Sequence, residues 1–312
     1  MSLAIKHRPT SLEDVAGNEQ TVKSLQAILA RKKGDIQHAF LFAGPSGCGK
    51  TTLARIVASE LQCAGRDYIE VDTGQFRGID TIREIRSNMI YKPLESSCRI
   101  WLLDECHMLG AGGASEKNAA QNALLKALED CPPHIYFILA TTNPEMLLPT
   151  IRGRCAEFEV APLDTSEMTD FLQNICRAEK RRVPQDVIKL IARDSLGSCR
   201  NALQVLDKVI DLDPDEMKDV AERTAEKENQ VIDFCRSLMK REKWPIIADI
   251  IKGLQKEDPE KTRLAIMGYA KTVALNEKDA SAAYLILDTF KDPTYSNGWA
   301  QLVWAAYTCI AT

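Results

Sequence analysis

The sequence predicts an α/β fold, a parallel sheet covered by helices, followed by two all-helical segments. Three observations predict it. Short apolar runs alternate with amphipathic stretches through residues 34–160, and that alternation implies crossover connections and a sheet covered on both faces. Strand signals stop at Ala161-Pro162, and only helical periods follow. Aromatic residues make up 6% of the 312 residues, with Ala and Leu dominant, which favours helices over a sandwich of short strands.

Taken in order, the elements are these. A helix precedes the first strand, with Asn18 as its N-cap and Val22, Leu25, Ile28 and Leu29 at helical spacing. The apolar runs at 38–43, 68–72, 99–104, 135–140 and 158–160 read as strands, and the stretches near 50–62, 78–91, 117–129 and 145–151 as the helices between them. Residues 164–179, 184–194 and 198–211 read as three short helices punctuated by Pro184 and Gly197. Asp213-Pro214 marks a second break, after which periods such as Val231, Phe234, Cys235 and Leu238 are helical. The expected domains are 1–161, 162–212 and 213–312.

Composition narrows the function. No apolar run approaches the ~18 residues of a membrane span, and the first ten residues carry charges but no apolar signal core. A cytoplasmic protein, nuclear if eukaryotic, is expected, with no membrane partner. The ten cysteines stand singly without C-x-x-C spacing, which argues against zinc and for free thiols in a reducing compartment. Net charge is −4, and the three segments hold 18 basic against 19 acidic residues, 8 against 8, and 14 against 17. No segment is basic overall, so a nucleic-acid site has to be a local arrangement of a few cations.

Gly44-Pro45-Ser46-Gly47-Cys48-Gly49-Lys50-Thr51 fits G-x-x-x-x-G-K-[ST] between an apolar strand and a helical pattern, with Thr52 following. Such a loop wraps phosphates with its amides and the helix N-terminus. Lys50 then reaches the outer phosphates and Thr51 binds Mg²⁺. The strand 100–103 ends in Asp104-Glu105. Asp104 is placed to hold Mg²⁺ through water and Glu105 to orient an attacking water, so the pair implies hydrolysis as well as binding. Asn143, in Thr141-Thr142-Asn143-Pro144, ends the next strand and faces the ligand crevice of a parallel sheet. Arg154 and Arg200 suit the charge of a transferring phosphoryl group, although spacing alone also allows two surface arginines.

These motifs resemble AAA+ ATPase subunits of sliding-clamp loaders: replication factor C small subunits, the gamma/tau subunit of bacterial DNA polymerase III, and phage counterparts. The resemblance covers about residues 5–210. Lys6-His7-Arg8-Pro9 is similar to the family's K-Y-R-P, with His7 in place of Tyr, and Leu12-Glu13-Asp14-Val15-Ala16-Gly17 to the segment flanking adenine. The resemblance thus implies nucleotide contacts at Arg8, Pro9, Val15 and Gly17. Asp104-Glu105-Cys106-His107 resembles the D-E-x-H/D box. Asn143 matches the first sensor, Arg200 the second, and Arg154-Cys155 the end of the S-R-C motif, with Gly153 where Ser is usual. Arg154 would then act in trans on a neighbour's ATP, with Lys50, Glu105, Asn143 and Arg200 acting in cis. The implied architecture is an AAA+ P-loop domain, a helical lid and an all-α collar that assembles subunits into a pentameric ring or spiral. The four-cysteine zinc module of bacterial gamma/tau subunits is absent, which points toward an archaeal, eukaryotic or phage-type subunit.

The implied partners are a sliding clamp and primer-template DNA. Residues 72–80 resemble the family's N-x-S-D-x-R-G-I segment. The helix near 78–91 presents Ile79, Ile82, Ile85 and Met89 on one face and Arg83, Arg86 and Ile90 on another. Arg77, Arg83 and Arg86 are the candidate DNA contacts. Ile90, with Met89 and Tyr91, is the candidate clamp contact, although Met89 also suits the core. The reading is an ATPase that loads a clamp. Its rivals are a branch-migration motor, a non-hydrolysing structural subunit and a small-molecule kinase. An intact acidic pair argues against the second, and two sensors plus a long helical tail against the third.

Overall fold

The computed structural model describes residues 2–76, 78–109, 114–228, 230–276, 280–294 and 297–311. They divide into two compact units, residues 8–162 and residues 2–7 with 163–311.

The first unit is an α/β layer structure. Five strands, β1 (Ala39–Ala43), β2 (Tyr68–Asp72), β3 (Arg99–Asp104), β4 (Ile135–Thr141) and β5 (Ala156–Glu159), form an all-parallel sheet in the order β2-β3-β4-β1-β5. The sequence-predicted strands are all present, shifted by a residue or two at their ends. α1 (Leu3–Lys6) precedes this unit, and α2 (Glu19–Leu29) opens it. α3 (Lys50–Glu60), α4 (Ile79–Asn88), α5 (Ala114–Glu129) and α6 (Pro149–Arg152) connect the strands.

Side chains alternate across a strand, so a sheet buried on both faces needs apolar residues at every position. In β1, Phe40 and Phe42 enter one core with Leu53, Ile56 and Val57 of α3, while Ala39 and Leu41 enter another with Ile82 and Ile85 of α4 and Leu124 of α5. Burying one such side chain contributes about 1.5–3 kcal/mol, so both helix layers are held firmly to the strands whose ends carry the site.

Three local expectations are corrected. Asn18 is not a side-chain N-cap. It lies in the left-handed region at φ 54, and its amide instead bonds Ala161 twice, donating to the carbonyl at 3.0 Å and accepting from the N–H at 2.8 Å. The stretch 145–151 is not one helix. Proline disfavours helical backbone in the residue before it, so Leu148 is extended, and a 3₁₀ turn (Pro144–Met146) is separated from α6. Met89 caps α4 at 3% exposure inside the core of Ile82 and Trp101, so of the three candidate clamp contacts it is the one that packs in the core.

The second unit is helical throughout its described residues. It comprises α1, α7 (Thr165–Ala178), α8 (Gln185–Asp194), α9 (Cys199–Val209), α10 (Pro214–Glu228), α11 (Gln230–Met239), α12 (Trp244–Leu254), α13 (Pro259–Asn276), α14 (Ser281–Thr289) and α15 (Trp299–Ala311). Residues 163–212 and 213–311 pack as one unit, α10 lying against both α8 and α9. Residues 2–7 join this unit and not the sheet: the Leu3 N–H donates to Asp207 at 3.2 Å, and Lys6 and His7 both pair with Glu179. Hydrogen bonds from Lys6 and then His7 hold the Glu179 carboxyl below its usual range. Among the described residues no helix is long and apolar enough to cross a membrane, and all ten cysteines are free thiols.

Candidate active site

The site forms where β1, β3 and β4 end side by side. The P-loop leaves β1, and the Gly44 N–H donates to Thr141 O at 3.1 Å, tying the loop to the end of β4. A Cβ on Gly44 would lie 2.1 Å from Val160 O, so only glycine lets the loop start this close to the strand beside it. Gly49 caps α3 at φ 106, a left-handed conformation that side chains rarely adopt. It offers no side-chain cap, and uncapped amides at a helix start are suited to receive an anion.

Lys50 is 5% exposed, and its ammonium donates to Gly44 O at 2.8 Å and Pro45 O at 2.9 Å. A buried cation is costly unless it is hydrogen-bonded. The loop carbonyls therefore hold the charge in the same turn whose amides receive phosphate. Cys48 is 8% exposed, and burial pushes its thiol up against the opposing effect of Lys50, so it sits there as a neutral side chain. Pro45 and Ser46 are exposed, and Gly47, Thr51 and Thr52 half-buried.

Thr51 Oγ1 donates to Asp104 Oδ2 at 3.0 Å. A hydroxyl and a carboxylate oxygen at one spot are a hard-oxygen set, which suits Mg²⁺ because that ion keeps several of its waters and uses few protein ligands. The other Asp104 oxygen accepts the Glu105 N–H at 3.0 Å. Glu105 lies in the left-handed region at φ 51, so β3 ends abruptly and the carboxylate turns toward β4. There Thr142 Oγ1 donates to Glu105 Oε2 at 3.3 Å, and His107 Nδ1 lies 3.4 Å from the same oxygen. Thr142 Oγ1 also lies 2.8 Å from Asn143 Oδ1, and Thr141 Oγ1 accepts the Asn143 N–H at 3.0 Å. Asp104, Glu105 and Asn143 thus share one hydrogen-bonded edge with Thr51.

Sequence reasoning passed over the groups that hold this edge. Thr73, fully buried, places its hydroxyl 2.9 Å from Asp104 O and 2.7 Å from Glu105 O. Thr141 and Thr142 connect His107, Glu105 and Asn143. Their signal was positional: each follows or ends a strand adjacent to β3 in a parallel sheet, where side chains reach the crevice.

The remaining candidates are carried by other elements. Arg154 precedes β5, whose residues Ala156–Glu159 pair with Phe40–Ala43 of β1. It therefore stands at the opposite end of the sheet from the P-loop, about 13 Å away for four strand residues. Its guanidinium donates to Thr150 O at 3.1 Å and pairs with Glu129. Arg200 belongs to the second unit, exposed in the first turn of α9, where a cation opposes the helix dipole by about 0.3–1 kcal/mol. Arg8 is exposed, and Pro9, Val15 and Gly17 half-buried, with Val15 packed on the core that contains α3.

Arg83 and Arg86 are exposed on α4 and paired with Asp80 at 2.9 Å and Asp130 at 2.6 Å. Arg77 lies outside the described residues. Ile90 and Tyr91 are 73% and 60% exposed, joined by Leu94 at 70%, which sequence reasoning had not singled out. The buried Asp67–Arg99 pair fixes their loop. Asp67 accepts the N–H groups of Leu94, Glu95 and Ser96, and Arg99 donates to Asn88 O and Lys92 O at 3.3 Å each.

Residues 40–163 match the ATPase family associated with various cellular activities (AAA). The DNA polymerase III subunit gamma/tau of Mycobacterium bovis is 37% identical over 233 residues, 67% of this chain and 39% of that protein. The tau subunit of Bacillus subtilis is 35% identical over 232 residues, 68% of this chain and 40% of its own length, and that of Escherichia coli 34% over 229, or 67% and 34%. The chain therefore spans 34–40% of the length of these relatives. They are bacterial proteins, although the missing cysteine module pointed to an archaeal, eukaryotic or phage-type subunit. Among solved structures, the Thermotoga maritima RuvB Holliday junction branch migration motor superposes with a TM-score of 0.58 at 25% identity, covering 75% of this chain and 78% of that one.

Proposed function

Residues 40–163 being an AAA-family ATPase domain in a chain similar to polymerase III gamma and tau subunits, we propose that this protein hydrolyses ATP to load a sliding clamp onto primer-template DNA. The shared edge of Thr51, Asp104, Glu105 and Asn143 carries the reading. The P-loop amides and Lys50 bind the phosphates. Thr51 and Asp104 would hold Mg²⁺, which supplies neutralisation of phosphate charge when bound. Glu105, set by Thr142 and His107, accepts the proton of the attacking water, and the Asn143 amide orients that water against the γ-phosphate. Arg200 supplies a further cation in cis.

Arg154 stands at the far end of its own sheet, which suits action on the nucleotide of a neighbouring subunit in a ring. The proposed partners are other clamp-loader subunits, the clamp at Ile90 and Tyr91, and DNA phosphates at Arg77, Arg83 and Arg86. The test is ATPase rate with and without primed DNA and cognate clamp. Joint stimulation that Arg154→Ala removes supports the reading, and a rate indifferent to clamp opposes it.

The likeness to the RuvB motor favours a second reading, a DNA-translocating AAA machine. Strand displacement by this chain without any clamp would favour that reading.

A further inference from the structure

The two carboxylates of the site are consecutive residues, and a regular strand would not let them act together. Side chains alternate across an extended strand, so Asp104 and Glu105 would point to opposite faces of the sheet. Instead Glu105 turns into the left-handed region at φ 51, and both carboxylates serve one edge. Asp104 Oδ2 accepts from Thr51 at 3.0 Å and Glu105 Oε2 from Thr142 at 3.3 Å. A left-handed backbone brings Cβ close to the following carbonyl oxygen and is disfavoured for a residue with a side chain. It persists only where the surrounding structure holds it.

Thr73 holds it from the neighbouring strand. β2 and β3 run side by side with Asp72 opposite Asp104, which sets the next residue, Thr73, against the turn at Glu105. The Thr73 N–H donates to Asp104 O at 3.1 Å. Its side chain is fully buried, and the hydroxyl donates to Glu105 O at 2.7 Å and to Asp104 O at 2.9 Å. One proton is shared between the two carbonyls as a three-centre bond.

Those two carbonyls belong to the peptide planes on either side of the Glu105 Cα. The angle between two successive planes is set by φ and ψ of the residue between them. A single hydroxyl that bridges both carbonyls therefore fixes the backbone of Glu105, and with it the direction in which the carboxylate leaves the strand. Thr142 then meets that carboxylate from β4.

We propose, on the reading of Glu105 as the proton acceptor, that Thr73 is a positioning residue for hydrolysis. Its hydroxyl acts through the Glu105 backbone, which aims the carboxylate at the attacking water.

The test is ATP hydrolysis by the full chain in its working assembly, with equilibrium ATP binding measured beside it. Thr73→Val keeps the shape and removes the hydroxyl. Asp104 O keeps the residue 73 N–H, and Glu105 O keeps the Met108 N–H at 2.8 Å, so unchanged circular dichroism is expected. The value of kcat falls at least about tenfold, as misplacing a catalytic group does, while ATP affinity stays within about twofold. Thr73→Ser, which retains the hydroxyl, recovers most of the loss. In a Glu105→Gln background Thr73→Val lowers the residual rate no further, because residues that act as a unit are not additive.

A Thr73→Val rate equal to wild type, equal losses with Val and Ser, or a full further loss in the Glu105→Gln background overturns the assignment. So does loss of the fold in Thr73→Val, which would make the hydroxyl structural. A wild type that hydrolyses no ATP removes the reading of Glu105 as well, so the two failures are told apart.

Discussion

Asp67→Asn removes one negative charge from the interior of the sheet unit with almost no change of volume. The carboxylate is fully buried, and its partner Arg99 is 9% exposed. Losing one member of a buried ion pair leaves the other uncompensated and costs about 3–5 kcal/mol. The asparagine has one acceptor oxygen for three N–H donors, those of Leu94, Glu95 and Ser96, so at least one donor is left unpaired. With a urea slope of about 1–3 kcal/mol per molar, the midpoint for this unit falls by roughly 1–5 M. Tryptophan fluorescence of the full chain measures it, since Trp101 lies in β3 next to the pair.

The pH dependence has a definite sign. Burial pushes the Asp67 carboxyl up, but the N–H groups of Glu95, Leu94 and Ser96 and the Arg99 guanidinium outweigh it and hold it below its usual range. A depressed carboxyl contributes stability above its unfolded value, near 3.9, that is lost as pH falls through its folded value. The gap between wild type and Asp67→Asn is therefore full at pH 7 and narrows below about pH 4. The same variant loosens the loop bearing Ile90, Tyr91 and Leu94, so clamp stimulation of the ATPase falls while ATP affinity holds. A midpoint shift under about 0.3 M, or a gap that widens in acid, refutes the reasoning.

Other outcomes follow from the same geometry. Glu105→Gln keeps ATP affinity within about threefold and lowers kcat at least about 100-fold, because the carboxylate is assigned to proton transfer; equilibrium binding beside single-turnover hydrolysis checks it. Ile90→Asp puts a charge on a 73% exposed apolar position and lowers clamp stimulation about tenfold at unchanged basal rate, as truncation of an interface anchor does. Arg263, with the N–H and hydroxyl of Thr294, holds the Glu260 carboxyl down at about 2. Its contribution is present above about 4.3 and lost as pH falls toward the folded value. Urea melts of Glu260→Gln should show a flatter acid limb for the helical unit than wild type.

Much of the first unit was legible because its signals are local. A strand buried on both faces is an unbroken apolar run, so β1, β3 and β4 stood out directly. The loop from Gly44 to Thr51 needs glycine for reasons of backbone geometry that its own residues express. Other features depend on partners distant in sequence. Asn18 looked like a helix cap because capping is the usual use of asparagine before a helix, but its amide is taken by Ala161, 143 residues away. Met89 and Ile90 are adjacent and similar in hydropathy; only the packing of α4 on Trp101 separates the buried one from the exposed one. Thr73 carries no motif, and its contact with Asp104 and Glu105 exists because β2 lies beside β3. The attachment of residues 2–7 to the helical unit rests on Asp207 and Glu179, which no spacing near the N-terminus announces.

The central claim is that this chain couples ATP hydrolysis to placing a clamp on DNA. The most direct measurement is retention of labelled cognate clamp on primed circular DNA after removal of free clamp, with the assembled loader containing this chain. The account predicts ATP-dependent retention with wild type that falls to background with Arg154→Ala. Retention that needs no ATP, that survives Arg154→Ala, or that does not occur with an assembly active in ATP hydrolysis would contradict it.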